Sequence, residues 1–136
     1  MRSTDALFLK RFSVNNMDKC ETGRKGESFC EEYYRKRGYE IKERNYHSRY
    51  GEIDLIAEKD KTVVFVEVKT RQNNSLVSGV EAVDFAKQQR TKNAANSFMR
   101  RLRTKLPPRI DVAEVIIVEE TDGVFQFRLN YIENAF

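Results

Sequence analysis

One run of eight residues, Thr62–Lys69, constrains the fold of this 136-residue chain more than any other. It reads TVVFVEVK, and its first part is apolar on both faces, as in a central strand that is covered on both sides. Side chains alternate across a strand, so Glu67, Lys69 and Arg71 would share one face. Burying a carboxylate and an ammonium at the end of such a strand is costly unless they are paired or bind a metal. The run therefore predicts a central strand with a functional site at its end.

A second strand-like run, Glu52–Ala57, precedes the first and is separated from it by a short polar turn. If the hairpin closes with Asp60 and Lys61 at its tip, residues whose numbers sum to 121 face each other. Asp54 would then stand across from Glu67, with Cβ atoms about 4.5–5.5 Å apart. A slip of one residue would separate them, so the inference depends on the turn length. Two carboxylates and a lysine on one patch form an oxygen-rich site suited to Mg²⁺ or Mn²⁺.

Periodicity and turn residues predict a helix, three strands, a second helix and two further strands. We expect a flexible N-terminal extension over residues 1–20 and a single domain over residues 21–136. The predicted elements are a helix over Glu21–Arg37, strands over Tyr39–Tyr46, Glu52–Ala57 and Thr62–Lys69, a polar loop over Gln72–Gly79, a helix from Val80 or Asp84 to Leu106 that Pro107-Pro108 ends, a strand over Arg109–Glu119, a hairpin turn at Asp122-Gly123 and a strand over Val124–Leu129.

The charge balance and the cysteine count bear on partners and compartment. The net charge of +4 and the pI near 9.1 favour polyanionic partners, although only weakly. No apolar run approaches the roughly 20 residues that span a bilayer, so no membrane partner is expected. Cys20 and Cys30 lack metal-ligand spacing, and Cys30 falls on the predicted face of the first helix, where it is expected to pack. The reducing cytoplasm is the expected compartment.

The second predicted helix is basic, and no acidic residue occurs between Ala86 and Arg109. Such a run favours phosphate contacts that are blind to sequence and sensitive to salt. The alternative is a solvated helix face with no ligand. Arg71 could reach a phosphate beside the site, since it shares the strand face of Lys69. The candidate nucleic-acid-binding residues are Arg71, Lys87, Arg90 and Lys92.

The order of elements, with an acid on the second strand and Glu-x-Lys on the third, resembles the PD-(D/E)XK nuclease superfamily. Ile53-Asp54 stands where that superfamily often has Pro-Asp, and Glu67-Val68-Lys69 matches its second half-motif. The segments GEIDLI and FVEVKTR, together with Gly26-Glu27, look like the bacterial YraN-like family over about Thr22 to Val118. The resemblance implies a restriction endonuclease-like α/β fold, in which helices flank a central mixed sheet with an α-β-β-β-α-β core.

The resemblance also implies a metal-dependent endonuclease that hydrolyses phosphodiester bonds, and DNA is expected as the substrate ahead of RNA. The sequence contains no motif for base-edge readout, so structure-selective or nonspecific binding is expected. Asp54 and Glu67 would hold Mg²⁺ or Mn²⁺, with the Val68 carbonyl as a further ligand. Lys69 would position or help to deprotonate the attacking water, or stabilise the phosphate. Glu27 matches an acid of the first helix that joins the site through water in some superfamily members. The number of metal ions stays open.

Several alternatives stay open beside this reading. Asp54, Glu67 and Lys69 could form a structural ion-pair network, and Glu27 could be a first-turn carboxylate favoured by the helix dipole. The chain could be a non-catalytic nucleic-acid-binding module with the same fold, or a protein-interaction subunit. The Gln72–Gly79 loop and the terminal residues could also support a homodimer.

Overall fold

The structure, a computed structural model, describes residues 2–13, 18–72, 84–121 and 123–136. Six strands form one sheet in the order β1-β6-β5-β4-β3-β2, in which β4 and β5 are parallel and all other neighbours are antiparallel. This confirms the predicted α/β class with an α-β-β-β-α-β core. The elements are β1 (Arg2–Ser13), α1 (Lys19–Lys36), β2 (Glu40–Ser48), β3 (Gly51–Lys59), β4 (Thr62–Gln72), α2 (Phe85–Arg101), β5 (Arg109–Thr121) and β6 (Val124–Ile132).

Each helix covers one face of the sheet, and β4 is buried between them. On one face, Val64 and Val66 join a core cluster with α1, in which Cys30 is fully buried, as its predicted packing role requires. On the other face, Phe65 packs against α2, and its ring meets that of Phe98 edge-on at 5.7 Å between centroids. Neither helix combines the length and the apolar character needed to cross a bilayer.

The two helices begin at aspartate caps. Asp18 and Asp84 each accept a hydrogen bond of 2.8 Å from a peptide N–H three residues ahead, which satisfies one of the free donors of the first turn. The predicted extension of the second helix to Leu106 is wrong, because α2 ends at Arg101. Its buried face ends at Met99, and Leu102 and Leu106 are exposed, so a further turn would gain no stability from burying an apolar face. Pro107-Pro108 mark only the last point at which α2 could have ended.

The structure differs from the expected flexible extension over residues 2–13. These residues form β1, an edge strand that pairs antiparallel with β6, and the pairing shifts between Asp5 and Leu9. An open strand edge on β6 is a template for pairing, and the apolar residues near Leu9 suit a strand. The predicted loop after Gln72 and the Asp122 position of the predicted turn lie outside the described residues.

A polar network whose central carboxylate is fully hydrogen-bonded lies at the start of β5, beside Arg109. The carboxylate of Asp111 is fully buried and accepts hydrogen bonds from Tyr34 Oη at 2.8 Å, from the Arg109 guanidinium at 3.0 and 3.2 Å, and from the peptide N–H of Asn134 at 2.9 Å. Every lone pair of the carboxylate is well supplied with donors. Asp111 therefore fastens α1 and the C-terminal segment to the sheet.

Candidate functional site

The candidate site lies where β3 and β4 separate. Their hairpin has the predicted register, since Lys59 pairs with Thr62 and Leu55 pairs with Val66. Pairing stops there, although β3 stays paired with β2 as far as Gly51 and β4 stays paired with β5 as far as Gln72. The sheet therefore splits, and we refer to the gap beyond Leu55 and Val66 as the fork. Asp54 and Glu67, the next residue on each strand, stand at its opening instead of forming the expected cross-strand pair.

A local distortion of β3 and of its neighbour β2 accompanies the fork. On β3, Ile53 and Ile56 join the α2 cluster whereas Leu55 joins the α1 cluster, so the alternation of faces breaks at Asp54. The residue of β2 nearest to Asp54 in the register is Asn45, which has a left-handed backbone with φ +49°. Asparagine tolerates this conformation better than most residues. An asparagine inside a predicted strand was the sequence signal for this distortion, because asparagine is depleted in strands.

The Asp54 carboxylate spans the fork. Its Oδ2 accepts a hydrogen bond of 2.8 Å from the peptide N–H of Val68, the residue after Glu67. Burial, and after it the nearby charge of Glu67, raise the pKa of Asp54 to about 6, against the lowering effect of the Val68 N–H. Asp54 and Glu67 therefore lie close enough for their charges to repel, as a shared metal site requires.

Glu67 is held by two lysines from different elements. Glu67 is only 4% exposed, and its Oε1 lies 3.4 Å from Lys69 Nζ and 3.5 Å from Lys87 Nζ. Lys69 belongs to the same face of β4, as the Glu-x-Lys spacing predicts. Lys87 comes from the first turn of α2. The sequence predicts Lys87 only as a nucleic-acid contact, and the structure places it inside the candidate site.

Glu27 of α1 approaches the same groups from the other face of the sheet. Burial raises the pKa of the Glu27 carboxyl, and the charge of Glu67 raises it further. Glu27 lines a cleft of about 540 Å³ together with Lys69, and it also lines a smaller cavity of about 190 Å³ together with Asp54. The structure therefore brings all four predicted catalytic residues, Asp54, Glu67, Lys69 and Glu27, to one end of the sheet.

A glycine fixes how closely α1 approaches this end of the sheet. A Cβ atom added to Gly26 would lie 2.2 Å from Thr70 Oγ1, far inside van der Waals contact. Only glycine lets α1 pack directly on β4 here. Because Glu27 is the next residue, this close packing sets the position of the Glu27 carboxylate.

The four predicted nucleic-acid-binding residues lie in different environments. Arg71 Nε lies 2.9 Å from Oε1 of Glu114, a residue of β5 that is only 2% exposed, so Arg71 is bound to a buried partner. Lys87 is bound to Glu67. Arg90 is exposed, with its Cβ beside Gly51, and Lys92 is partly buried. Their contacts with nucleic acid stay predictions.

The donor atoms at the fork fit a hard divalent cation that takes only a few of its ligands from the protein. Within the described ranges, no three side chains of His, Cys, Asp or Glu converge as a metal cluster. The candidate ligands are therefore two carboxylates, Asp54 and Glu67, with the Val68 carbonyl. Mg²⁺ is commonly bound through one or two carboxylates while it keeps several waters and takes substrate oxygens. The burial and the repulsion by Glu67 that raise the pKa of Asp54 are the kind of penalty that a dication would relieve.

A mixed sheet between two helices, with an acid on β3 and Glu-x-Lys on β4, defines a restriction endonuclease-like α/β protein. The chain belongs to the uncharacterised protein family UPF0102, the YraN family, whose profile matches residues 26–115. The matched region runs from Gly26 to β5 and contains the whole fork.

Bacterial relatives extend the likeness over most of the chain. A UPF0102 protein of Syntrophomonas wolfei is 42% identical over 117 residues, which cover 85% of this chain and 97% of the relative. A UPF0102 protein of Alkaliphilus metalliredigens is 42% identical over 84% of this chain and 96% of the relative. One from Caldicellulosiruptor saccharolyticus is 39% identical over 88% of this chain and its own full length.

Proposed function

We propose that this protein is a divalent-metal-dependent endonuclease that hydrolyses phosphodiester bonds in DNA. The observation that carries the proposal is the fork, where the carboxylates of Asp54 and Glu67 and the ammonium of Lys69 meet beside an open cleft. Two mutually repelling carboxylates next to a lysine are costly as structure alone, and perturbed groups of this kind gather at functional sites. The cytoplasm is the compartment proposed for this activity.

The residues have distinct chemical tasks in this proposal. Asp54 and Glu67, with the Val68 carbonyl, would hold Mg²⁺ or Mn²⁺. The bound dication would lower the pKa of a water molecule and act as a Lewis acid on the phosphate. The Val68 N–H keeps the Asp54 carboxylate in one orientation. Lys69 lies between Glu67 and the cleft, where a compact cation can orient the attacking water or stabilise the charge that develops on the phosphate oxygens.

Cleavage assays on matched variants test the proposal. Purified protein is incubated with Mn²⁺ and labelled single-stranded, duplex and branched DNA. Wild type should cleave at least one of these substrates, and Asp54→Asn and Lys69→Met should lose the activity. Asp60→Asn and Lys61→Met are the controls, because both residues are exposed at the tip of the same hairpin. Equal cleavage by wild type, Asp54→Asn and Lys69→Met would identify a contaminating nuclease and refute the proposal.

A non-catalytic nucleic-acid-binding module is the second candidate. It is favoured by one observation, the two lysines whose ammonium groups balance the charge of Glu67. In that case the protein should bind DNA with strong salt dependence, release no product with Mn²⁺ or Mg²⁺, and show no heat of metal binding by calorimetry. Calorimetry on wild type and Glu67→Gln therefore separates the two candidates.

A further inference from the structure

Gly23 of α1 has no structural reason to be glycine. Its position is helical, and glycine weakens a helix relative to alanine. Within the described ranges, a Cβ atom added to Gly23 would meet no atom within 4 Å outside the local helix backbone. Gly26, one turn later, is the opposite case, since its Cβ would collide with Thr70. The glycine therefore leaves an open space beside α1 that no described residue fills.

That open space belongs to the cleft of about 540 Å³ beside the fork. Its α1 wall is formed by Thr22, Gly23 and Glu27, and its β4 wall includes Val68 and Lys69. The volume lies in the range of ordinary ligand sites. The cleft is chemically mixed, because the Lys69 ammonium stands at one side and the apolar Val68 at another. A cleft lined in this way can accept a phosphate at Lys69 and, beside it, the uncharged face of a sugar or base.

We propose that this cleft is a subsite for one nucleotide of a DNA strand, and that Gly23 is the point at which the sugar–phosphate backbone lies against α1. The inference rests on the proposed nuclease function, and it names where the strand runs. Gly23 and Lys69 line the same cleft, so a strand whose phosphate contacts Lys69 would also meet the α1 wall at Gly23. A bare Cα lets a ligand backbone approach more closely than any side chain would allow. Glycine at position 23 is thus retained for the ligand, at the expense of helix stability.

The subsite predicts opposite effects on stability and on binding. Gly23→Ala should raise the melting temperature by about 2–4 °C, because alanine favours the helix and meets no described neighbour. The same change should weaken binding of a labelled single-stranded oligonucleotide several-fold. Gly23→Leu should weaken it at least about tenfold, because the side chain fills the strand path. Fluorescence anisotropy with Ca²⁺ in place of the catalytic metal, at about 50 mM salt, measures binding without cleavage.

Two controls make the result specific. Thr62→Leu adds a leucine at an exposed position at the far end of β4 and should leave the affinity unchanged. Lys69→Met should weaken binding, since it removes a cation that lines the same cleft. If Gly23→Leu binds like wild type while Lys69→Met does not, the subsite is refuted and the nuclease proposal stands. If wild type neither binds nor cleaves any DNA, both proposals fail. A lower melting temperature for Gly23→Ala would show that position 23 needs glycine for folding, and would also overturn the inference.

Discussion

The Asp54 carboxylate accepts a hydrogen bond of 2.8 Å from the peptide N–H of Val68, across the gap between two strands that have ceased to pair. An asparagine at position 54 can keep this hydrogen bond through its amide oxygen, but it cannot ionise. The contact therefore separates the structural contribution of the residue from the contribution of its charge.

Asp54→Asn should stabilise the metal-free protein at neutral pH. The pKa of Asp54 is raised from 3.8 to about 6 in the folded state, so the folded state disfavours the ionised form. Below about pH 4 the Asp54 carboxyl is protonated in both the folded and the unfolded wild type and costs nothing. Between about pH 4 and pH 6 it ionises in the unfolded state first, so the free energy of unfolding of the wild type falls as the pH rises through about 6. The difference reaches at most about 3 kcal/mol. Urea unfolding in EDTA from pH 4 to pH 8 measures it.

The control for this prediction is Asp60→Asn, which removes a solvated carboxylate from the same hairpin and should follow the wild type. An advantage of Asp54→Asn that is as large at pH 4 as at pH 8 would contradict the electrostatic explanation. Excess Mn²⁺ should then stabilise the wild type more than Asp54→Asn, since only the wild type has both carboxylates.

Gly26→Ala should destabilise the fold through a single contact. The added Cβ would lie 2.2 Å from Thr70 Oγ1, so α1 must move away from β4. Overpacking of this kind costs about 1–3 kcal/mol. In a double-mutant cycle, Thr70→Ala should recover part of the loss because it removes the nearest atom. If Gly26→Ala costs the same in both backgrounds, the two residues are not in contact.

Arg71→Met should lower stability more than it lowers DNA affinity. The guanidinium faces the buried carboxylate of Glu114 at 2.9 Å, and removing one partner of a buried ion pair costs about 2–3 kcal/mol. Replacing both, as in Arg71→Met with Glu114→Gln, should recover much of that cost. Thermal and urea unfolding measure the effect. A stable Arg71→Met variant with abolished DNA binding would restore the original prediction for Arg71 as a phosphate contact.

Lys87→Met should tighten metal binding, whereas the loss of a residue that supports a metal site would weaken it. Its Nζ lies 3.5 Å from the Glu67 oxygen that is a candidate metal ligand, so the ammonium competes with a dication. Removing it should tighten Mn²⁺ binding several-fold by calorimetry, and should slow cleavage if Lys87 also contacts phosphate. Lys61→Met, an exposed lysine, is the matched control. Weaker Mn²⁺ binding by Lys87→Met would show that Lys87 supports the metal site.

Arg90 and Lys92 give the electrostatic prediction. If both contact phosphate, Arg90→Ala and Lys92→Ala should each reduce the slope of log affinity against log salt by about 1, with similar effects on unrelated sequences. Anisotropy titrations over a range of salt concentrations provide the slopes. Unchanged slopes in both variants would return this part of α2 to the solvated-face alternative.

The sequence was sufficient for the central part of the molecule. The double-sided apolar run of β4 and the turn at Asp60 and Lys61 are local signals, and the register of β3 on β4 followed from them. The two turn residues have left-handed backbones with φ of +50° and +65°, as a tight hairpin needs.

The fork and its lysine could not be predicted in the same way. Strand pairing was extrapolated past Leu55, whereas the structure splits the sheet there. The position of Lys87 depends on how α2 packs across the sheet, which no local pattern specifies. The helix end at Arg101 likewise depends on where the buried face stops. The strand β1 was missed because its partner, β6, lies more than a hundred residues away in the chain.

The pairing of β1 with β6 has a practical consequence for anyone who shortens this chain. Residues 2–13 cover the outer edge of β6, a strand whose Phe127 and Leu129 are fully buried. A protein beginning at Asp18 would present that edge as a row of unsatisfied peptide groups, ready to recruit the same segment from another molecule. Aggregation of such a truncated protein would then reflect an uncapped sheet, and it would say nothing about the chemistry at the opposite side of the fold.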